Sequence, residues 1–134
     1  MERKFFKGLP YFDPCPLHST FNGLEVEWKE RNYVNPPYDK TMKELFIMKA
    51  YKEWKENKKM SVLLIPATTE TKIFHNIIVP NTKIILIKER IKFKGHNTKG
   101  EYVENKSGQT GSMFVIFGQA PCITTLNLNG GKTR

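Results

Sequence analysis

Two uninterrupted apolar runs, SVLLIP at residues 61–66 and SMFVIF at 112–117, constrain the fold of this chain more than any other feature. A half-buried strand alternates apolar and polar letters. A continuous run expects cover on both faces, as a buried strand in a layered sheet has. Proline ends the first run, because it offers no N–H to a ladder. Helices must supply the cover, and residues 40–58 provide one. There Ile47, Ala50, Tyr51 and Trp54 recur at the i, i+3, i+4, i+7 spacing of a single buried face, with lysines and glutamates expected opposite. A shorter amphipathic helix is expected over 69–78, ending before Pro80.

Short apolar runs at 9–12 (LPYF) and 31–34 (RNYV) each give way to prolines. Runs 83–87 (KIILI) and 90–94 (RIKFK) read as paired strands, with ITTLNL near the end as an edge strand. Residues 95–111, rich in Gly, Asn, Lys and Ser, read as a mobile loop. The succession strand, helix, strand, helix, then paired strands predicts an α/β fold, mostly parallel with a late antiparallel pair. No repeat or linker divides the 134 residues, so one domain is expected, with 1–8 and 119–134 peripheral.

Charge narrows the partner. Lys+Arg number 22 against 13 Asp+Glu, a formal net +9. A polyanion would gain from counterion release on such a surface, and double-stranded DNA is the expected partner. Lysine dominance suits point contacts to phosphates more than bidentate reading of guanine. A solubilising surface would account for the same charge. No apolar run approaches the roughly 18 residues of a membrane helix, and MERKFFKGLPYF lacks a signal peptide's apolar stretch. No membrane and a cytoplasmic location are therefore expected. Cys15 and Cys122 belong to no CxxC or Cys/His cluster, so free thiols and no metal site are expected.

Asn35-Pro36-Pro37-Tyr38 concentrates the chemistry. At the carboxyl end of a strand it would stand where α/β sheets bind ligands. Two prolines stiffen the backbone and remove N–H donors. The acceptors that remain, the Asn35 amide oxygen and the Pro36 carbonyl, suit the two N–H groups of an exocyclic amine. Tyr38 offers a flat face for the ring carrying it. Gripping both hydrogens draws the nitrogen lone pair out of conjugation, and no base is needed beforehand, so orientation would supply most of the rate. An ordinary proline-rich turn between strand and helix would use the same residues. A WW-domain ligand would need PPxY, and the register here is wrong.

Other segments extend the pattern. Asp13-Pro14-Cys15 is an acidic turn, followed by Gly23-Leu24 through Trp28 and then Asn32 to Tyr38. Val62 to Thr71 leads to Phe74-His75, then Arg90 to Phe93 and Ser112 to Phe117. In this order, from about Phe12 to Phe117, the chain resembles the phage-type Dam DNA adenine-N6 methyltransferases. The resemblance implies a compact, N-terminally abbreviated Rossmann-like methyltransferase sheet in a viral or prophage protein, acting in the host cytoplasm. It implies S-adenosyl-L-methionine (AdoMet) as methyl donor and a base flipped out of duplex DNA. Asn35, Pro36, Pro37 and Tyr38 would hold and methylate the adenine; Asp13, Pro14 and Cys15 would lie along AdoMet. Glu25 and Glu27 are candidates for its ribose.

His75, Arg90, Lys92 and Lys94 are candidate DNA contacts, against the ordinary readings of a surface histidine and solvated strand charges. Asp39 suits a helix cap, and Trp28 and Trp54 suit the core. Two other functions fit the same letters: methyl transfer to another amine or amide (a protein glutamine or an RNA base), and a non-catalytic DNA-binding subunit. A homodimer or a partner subunit would give so small a chain more surface for duplex DNA.

Overall fold

The computed structural model describes residues 5–16, 21–37, 39–88, 92–96, 102–107 and 111–127, the segments 92–96 and 102–107 by their backbone. Its strands are β1 (Arg31–Val34), β2 (Met60–Pro66), β3 (Thr82–Ile87), β4 (Lys92–His96), β5 (Tyr102–Ser107), β6 (Ser112–Phe117) and β7 (Cys122–Leu126). Five of them form one sheet in the order β1-β2-β6-β3-β7, and β4 and β5 form a separate pair. β1 lies parallel to β2, and β3 parallel to β7. β6 runs antiparallel to both β2 and β3. The sheet is therefore mixed, with parallel and antiparallel pairings in equal number, where a mostly parallel one was expected.

The late pairing also differs. β3 pairs with β6 and β7, not with the basic run after it, and β4 pairs with β5. SMFVIF is buried at every position, so it takes the sheet centre; a run carrying Arg and Lys on alternate positions would bury charge there. The expected loop 95–111 contains β5. Its letters YVENKS hid it because a hairpin is held by backbone ladder bonds that need no apolar run.

One long helix, α1 (Lys40–Asn57), covers one face. Asp39 caps it as expected, its Oδ2 accepting the Met42 N–H at 3.0 Å, a contact worth about 1 kcal/mol. α1 buries Phe46, Ile47 and Ala50 against Val34, Leu63, Ile65, Met113, Val115 and Phe117. Tyr51 and Trp54 sit at the margin of this core, and Trp28 is fully buried in it. Two charged residues, Lys43 and Glu53, lie on the buried face too, a correction to the expected division into apolar and charged sides. The alternate residues Val62, Leu64, Ile85, Phe114 and Ile116 face the other way, packed with Phe6.

Between β2 and β3 the chain forms a π-helical turn, Phe74–Ile78, that runs into α2 (Val79–Asn81). The expected stop before Pro80 does not occur. Pro80 falls in the first turn of α2, directly after the π-helical turn, whose wider ring closes from the Val79 N–H to Phe74 O. The side chains of Asn81 and Thr82 donate to the carbonyls of Ile77 and Ile78 at 2.8 and 2.7 Å, closing the turn. Cys15 and Cys122 are free thiols. Among the described residues no helix is long and apolar enough to cross a membrane.

Candidate active site

Parallel neighbours send their carboxyl ends to the same edge of a sheet, and two of the sequence candidates meet there. Phe12 forms a parallel bridge with Asn32, its N–H donating to Arg31 O at 2.8 Å and its carbonyl accepting from Tyr33 N at 2.9 Å. Asp13-Pro14-Cys15 leaves that bridge in the direction in which Asn35-Pro36-Pro37 leaves β1. The acidic turn and the asparagine-proline turn therefore leave the same edge of the sheet.

β1 is pinned below them by Asn32, whose side chain is 0% exposed. Its Nδ2 donates to the carbonyls of Lys29 and Met60, both at 2.9 Å, and its Oδ1 accepts from Lys29 N at 3.0 Å. Three residues on, Asn35 is exposed, and among the described residues no hydrogen bond engages its amide. Pro36 is buried and Pro37 exposed. Tyr38 lies outside the described residues.

The acidic turn is built from further away. Asp13 Oδ1 accepts the Cys15 N–H at 2.9 Å, an Asx turn; among the described residues no hydrogen bond engages the second carboxylate oxygen. Burial, and then the Asp13 charge, push the Cys15 thiol up, so it stays protonated at neutral pH. Pro14 is buried beneath Gly23. A Cβ on Gly23 would lie 1.8 Å from Pro14 O and 2.8 Å from Pro14 C, so only glycine fits. Trp28 holds Gly23 in place, its Nε1 donating to Gly23 O at 2.8 Å. Trp28 is held in turn by Glu53 on α1, whose Oε2 accepts the Trp28 N–H at 3.1 Å.

Glu53 is a buried carboxylate with a full set of partners. Asn57 donates to it at 3.0 Å, Lys49 pairs with it at 3.1 Å and Lys59 at 3.6 Å. Burial alone would raise its pKa. The hydrogen bonds from Trp28, Asn57 and Lys49, with the Lys49 charge, outweigh burial and hold the carboxyl below its usual range. Sequence reading missed this residue, although the i, i+4 spacing of Lys49, Glu53 and Asn57 was a usable signal.

The remaining candidates are scattered. His75 is exposed on the π-helical turn, its ring edge-on to Phe74 at 5.3 Å. Lys92 pairs with Ser107 in the β4–β5 ladder, whose register shifts between Phe93 and Gly95, at Lys94. Arg90 lies outside the described residues. Glu25 and Glu27 are exposed, and Glu27 lies 3.7 Å from Lys59. A recess missed by the sequence opens on the other side of β1 from the acidic turn. Its cavity of about 240 Å³ is lined by Lys43, Ile47, Ile65, Thr68, Thr71 and Met113, among others.

No curated protein and no solved structure matches the chain. A family model described as DNA N-6-adenine-methyltransferase (Dam) matches residues 17–129. That span takes in Asn35-Pro36-Pro37-Tyr38, His75, Arg90, Lys92 and Lys94, and begins just after the acidic turn. With the match covering most of its length, this chain belongs to the DNA N-6-adenine-methyltransferase (Dam) family.

Proposed function

We propose that the chain transfers a methyl group from AdoMet to the exocyclic N6 amine of adenine in duplex DNA, on a Rossmann-like sheet. The observation that carries this reading is the Asn35-Pro36-Pro37 turn: an exposed amide, unengaged among the described residues, at the carboxyl end of β1 and on the sheet edge from which the acidic turn also leaves. Asn35 Oδ1 and the Pro36 carbonyl accept the two N–H bonds of the target amine and turn its lone pair outward. Tyr38 stacks on the purine and offsets part of the few kcal/mol that flipping a base costs. The amine's surplus proton leaves to water after its new N–C bond has formed. His75, Arg90, Lys92 and Lys94 contribute phosphate contacts, in keeping with the net charge of +9.

The acidic turn suits AdoMet. Among the described residues Asp13 keeps one carboxylate oxygen free for a hydroxyl or ammonium group, and the protonated Cys15 thiol does not compete for an electrophile. Asp13, Pro14 and Cys15 would hold the cofactor; when bound, it supplies a methyl group on a sulfonium sulfur. The test is incubation of the protein with AdoMet and duplex DNA, then mass analysis of the released nucleosides. N6-methyladenine is expected. Its absence from reactions in which folded protein binds both AdoMet and DNA would overturn the proposal.

A further inference from the structure

Two lysines on different elements line a single groove that no step of the proposed reaction uses. Lys40 is the first residue of α1, and Lys72 stands two residues before the π-helical turn. Both are exposed, and among the described residues no hydrogen bond or ion pair engages either side chain. Lys40 also sits at the positive end of the helix dipole, in a first turn without an acidic residue, where a cation is disfavoured. Folding does not call for a lysine at that position.

The strands explain why the two come together. β1 and β2 are parallel neighbours, with Val34 paired to Leu63, so both send the chain out at the same edge of the sheet. Lys40 follows Val34 by six residues, and Lys72 follows Pro66 by six. Asn35 stands at this edge too, directly after β1. The groove measures about 630 Å³ and lies between α1 and the π-helical turn, a geometry that recurs at functional sites. Two ammoniums outnumber its one carboxylate, Glu44, which lies a helical turn beyond Lys40. Asn76 adds a neutral amide donor, and apolar side chains such as Leu45 and Ile73 complete the lining. A phosphodiester suits such a surface, since it carries one negative charge flanked by the carbon skeleton of deoxyribose.

We infer that Lys40 and Lys72 together grip one backbone phosphate of the target strand, next to the adenine that leaves the stack. The inference rests on the proposed function for duplex DNA as the substrate. Holding the backbone at the edge where Asn35 stands fixes the pivot about which the nucleotide turns out. Lysines suit the task, because a point charge holds a phosphate without reading sequence. Two ammoniums on one phosphate make a single contact, so removing both lysines removes one contact and not two.

The test measures duplex affinity against salt concentration, without AdoMet, for the parent, Lys40→Met, Lys72→Met and the double variant. Each neutralised phosphate contributes about 0.9 to the slope of log Kd on log salt. The double variant should lose about one unit of slope, not two, and bind about 10-fold more weakly at fixed salt. Lys52→Met removes an equal charge roughly 18 Å further along α1 and should leave the slope unchanged. Thermal melts check that each variant is folded. A loss of two units in the double variant, an unchanged slope, or an equal loss in Lys52→Met would overturn the inference.

A second arm places the phosphate. Duplexes carry an uncharged methylphosphonate on the 5′ or the 3′ side of the methylated adenine. With the parent, one of the two should lower kcat/KM by about 10-fold, and the double variant should lose nothing further from it. Losses that add in full would mean that the lysines hold a phosphate elsewhere, and would overturn the placement. If the parent methylates no DNA, the proposed reaction falls, while the salt series still decides whether these lysines share a phosphate.

Discussion

Asn32 and Asn35 stand three residues apart where β1 becomes the candidate site, and the molecule treats them oppositely. Asn32 is 0% exposed, with backbone groups of Lys29 and Met60 meeting its amide. Asn35 is exposed, with no hydrogen bond to its amide among the described residues. On α1, Glu53 repeats the satisfied case, buried among Trp28, Asn57 and Lys49. Satisfied polar groups are what a fold uses to fix register. Unsatisfied ones at a strand's carboxyl end await something from outside. Residue type alone does not separate the two roles; the partner list does.

The sharpest way to break that comparison is to exchange both asparagines. Asn35→Ala is expected to lose turnover by about 10²- to 10³-fold, the scale of removing one preorganised polar group from a reacting centre, with little change in Tm. Asn32→Leu should do the reverse. It strands buried backbone groups of Lys29 and Met60, at a cost of about 2–4 kcal/mol, and lowers Tm by on the order of 10 °C. Paired methylation assays and thermal melts read both. Equal Tm losses, or an active Asn35→Ala, would erase the distinction.

Gly23 tests whether the acidic turn is built by its distant support. A methyl group there meets Pro14 O at 1.8 Å, and backbone cannot yield as a flexible side chain does. Gly23→Ala should cost about 1–3 kcal/mol, read as a lower urea midpoint. AdoMet affinity in calorimetric titration should fall with it. Unchanged stability would mean that the contact between Gly23 and Pro14 does not hold the turn.

Much of this was legible because it is local. The α1 span, β2 and β6 follow from periodicity and apolar runs, and Asn35-Pro36-Pro37-Tyr38 keeps its candidate chemistry within four adjacent residues. What stayed hidden is assembled from distant pieces. Gly23 reaches Pro14 only once Trp28 and Glu53 have set its height. The recess draws on α1, β2, the turn after it and β6. Lys43 and Glu53 read as solvent-facing because a hydropathy pattern assigns every charge to water. β5 and the passage through Pro80 depend on backbone pairing and side-chain closure, which composition does not report.

Glu53 offers the finest test, because only its protonation need change. Its folded pKa is held below the ordinary 4.5, so the unfolded chain binds its proton first as pH falls. The stabilisation from this carboxylate is therefore whole above about pH 5 and drains away as pH drops through 4.5 toward the folded value. Glu53→Gln keeps the shape and the bond from Trp28 but removes the charge that meets Lys49 and Lys59. It should melt below the parent at pH 7, and the gap should close steadily between pH 5 and the acid limit of folding. Melting curves of both proteins across that range decide it. A gap that stays constant would mean that the Glu53 charge adds nothing to the hold on Trp28, and that packing alone fixes the segment beneath the acidic turn.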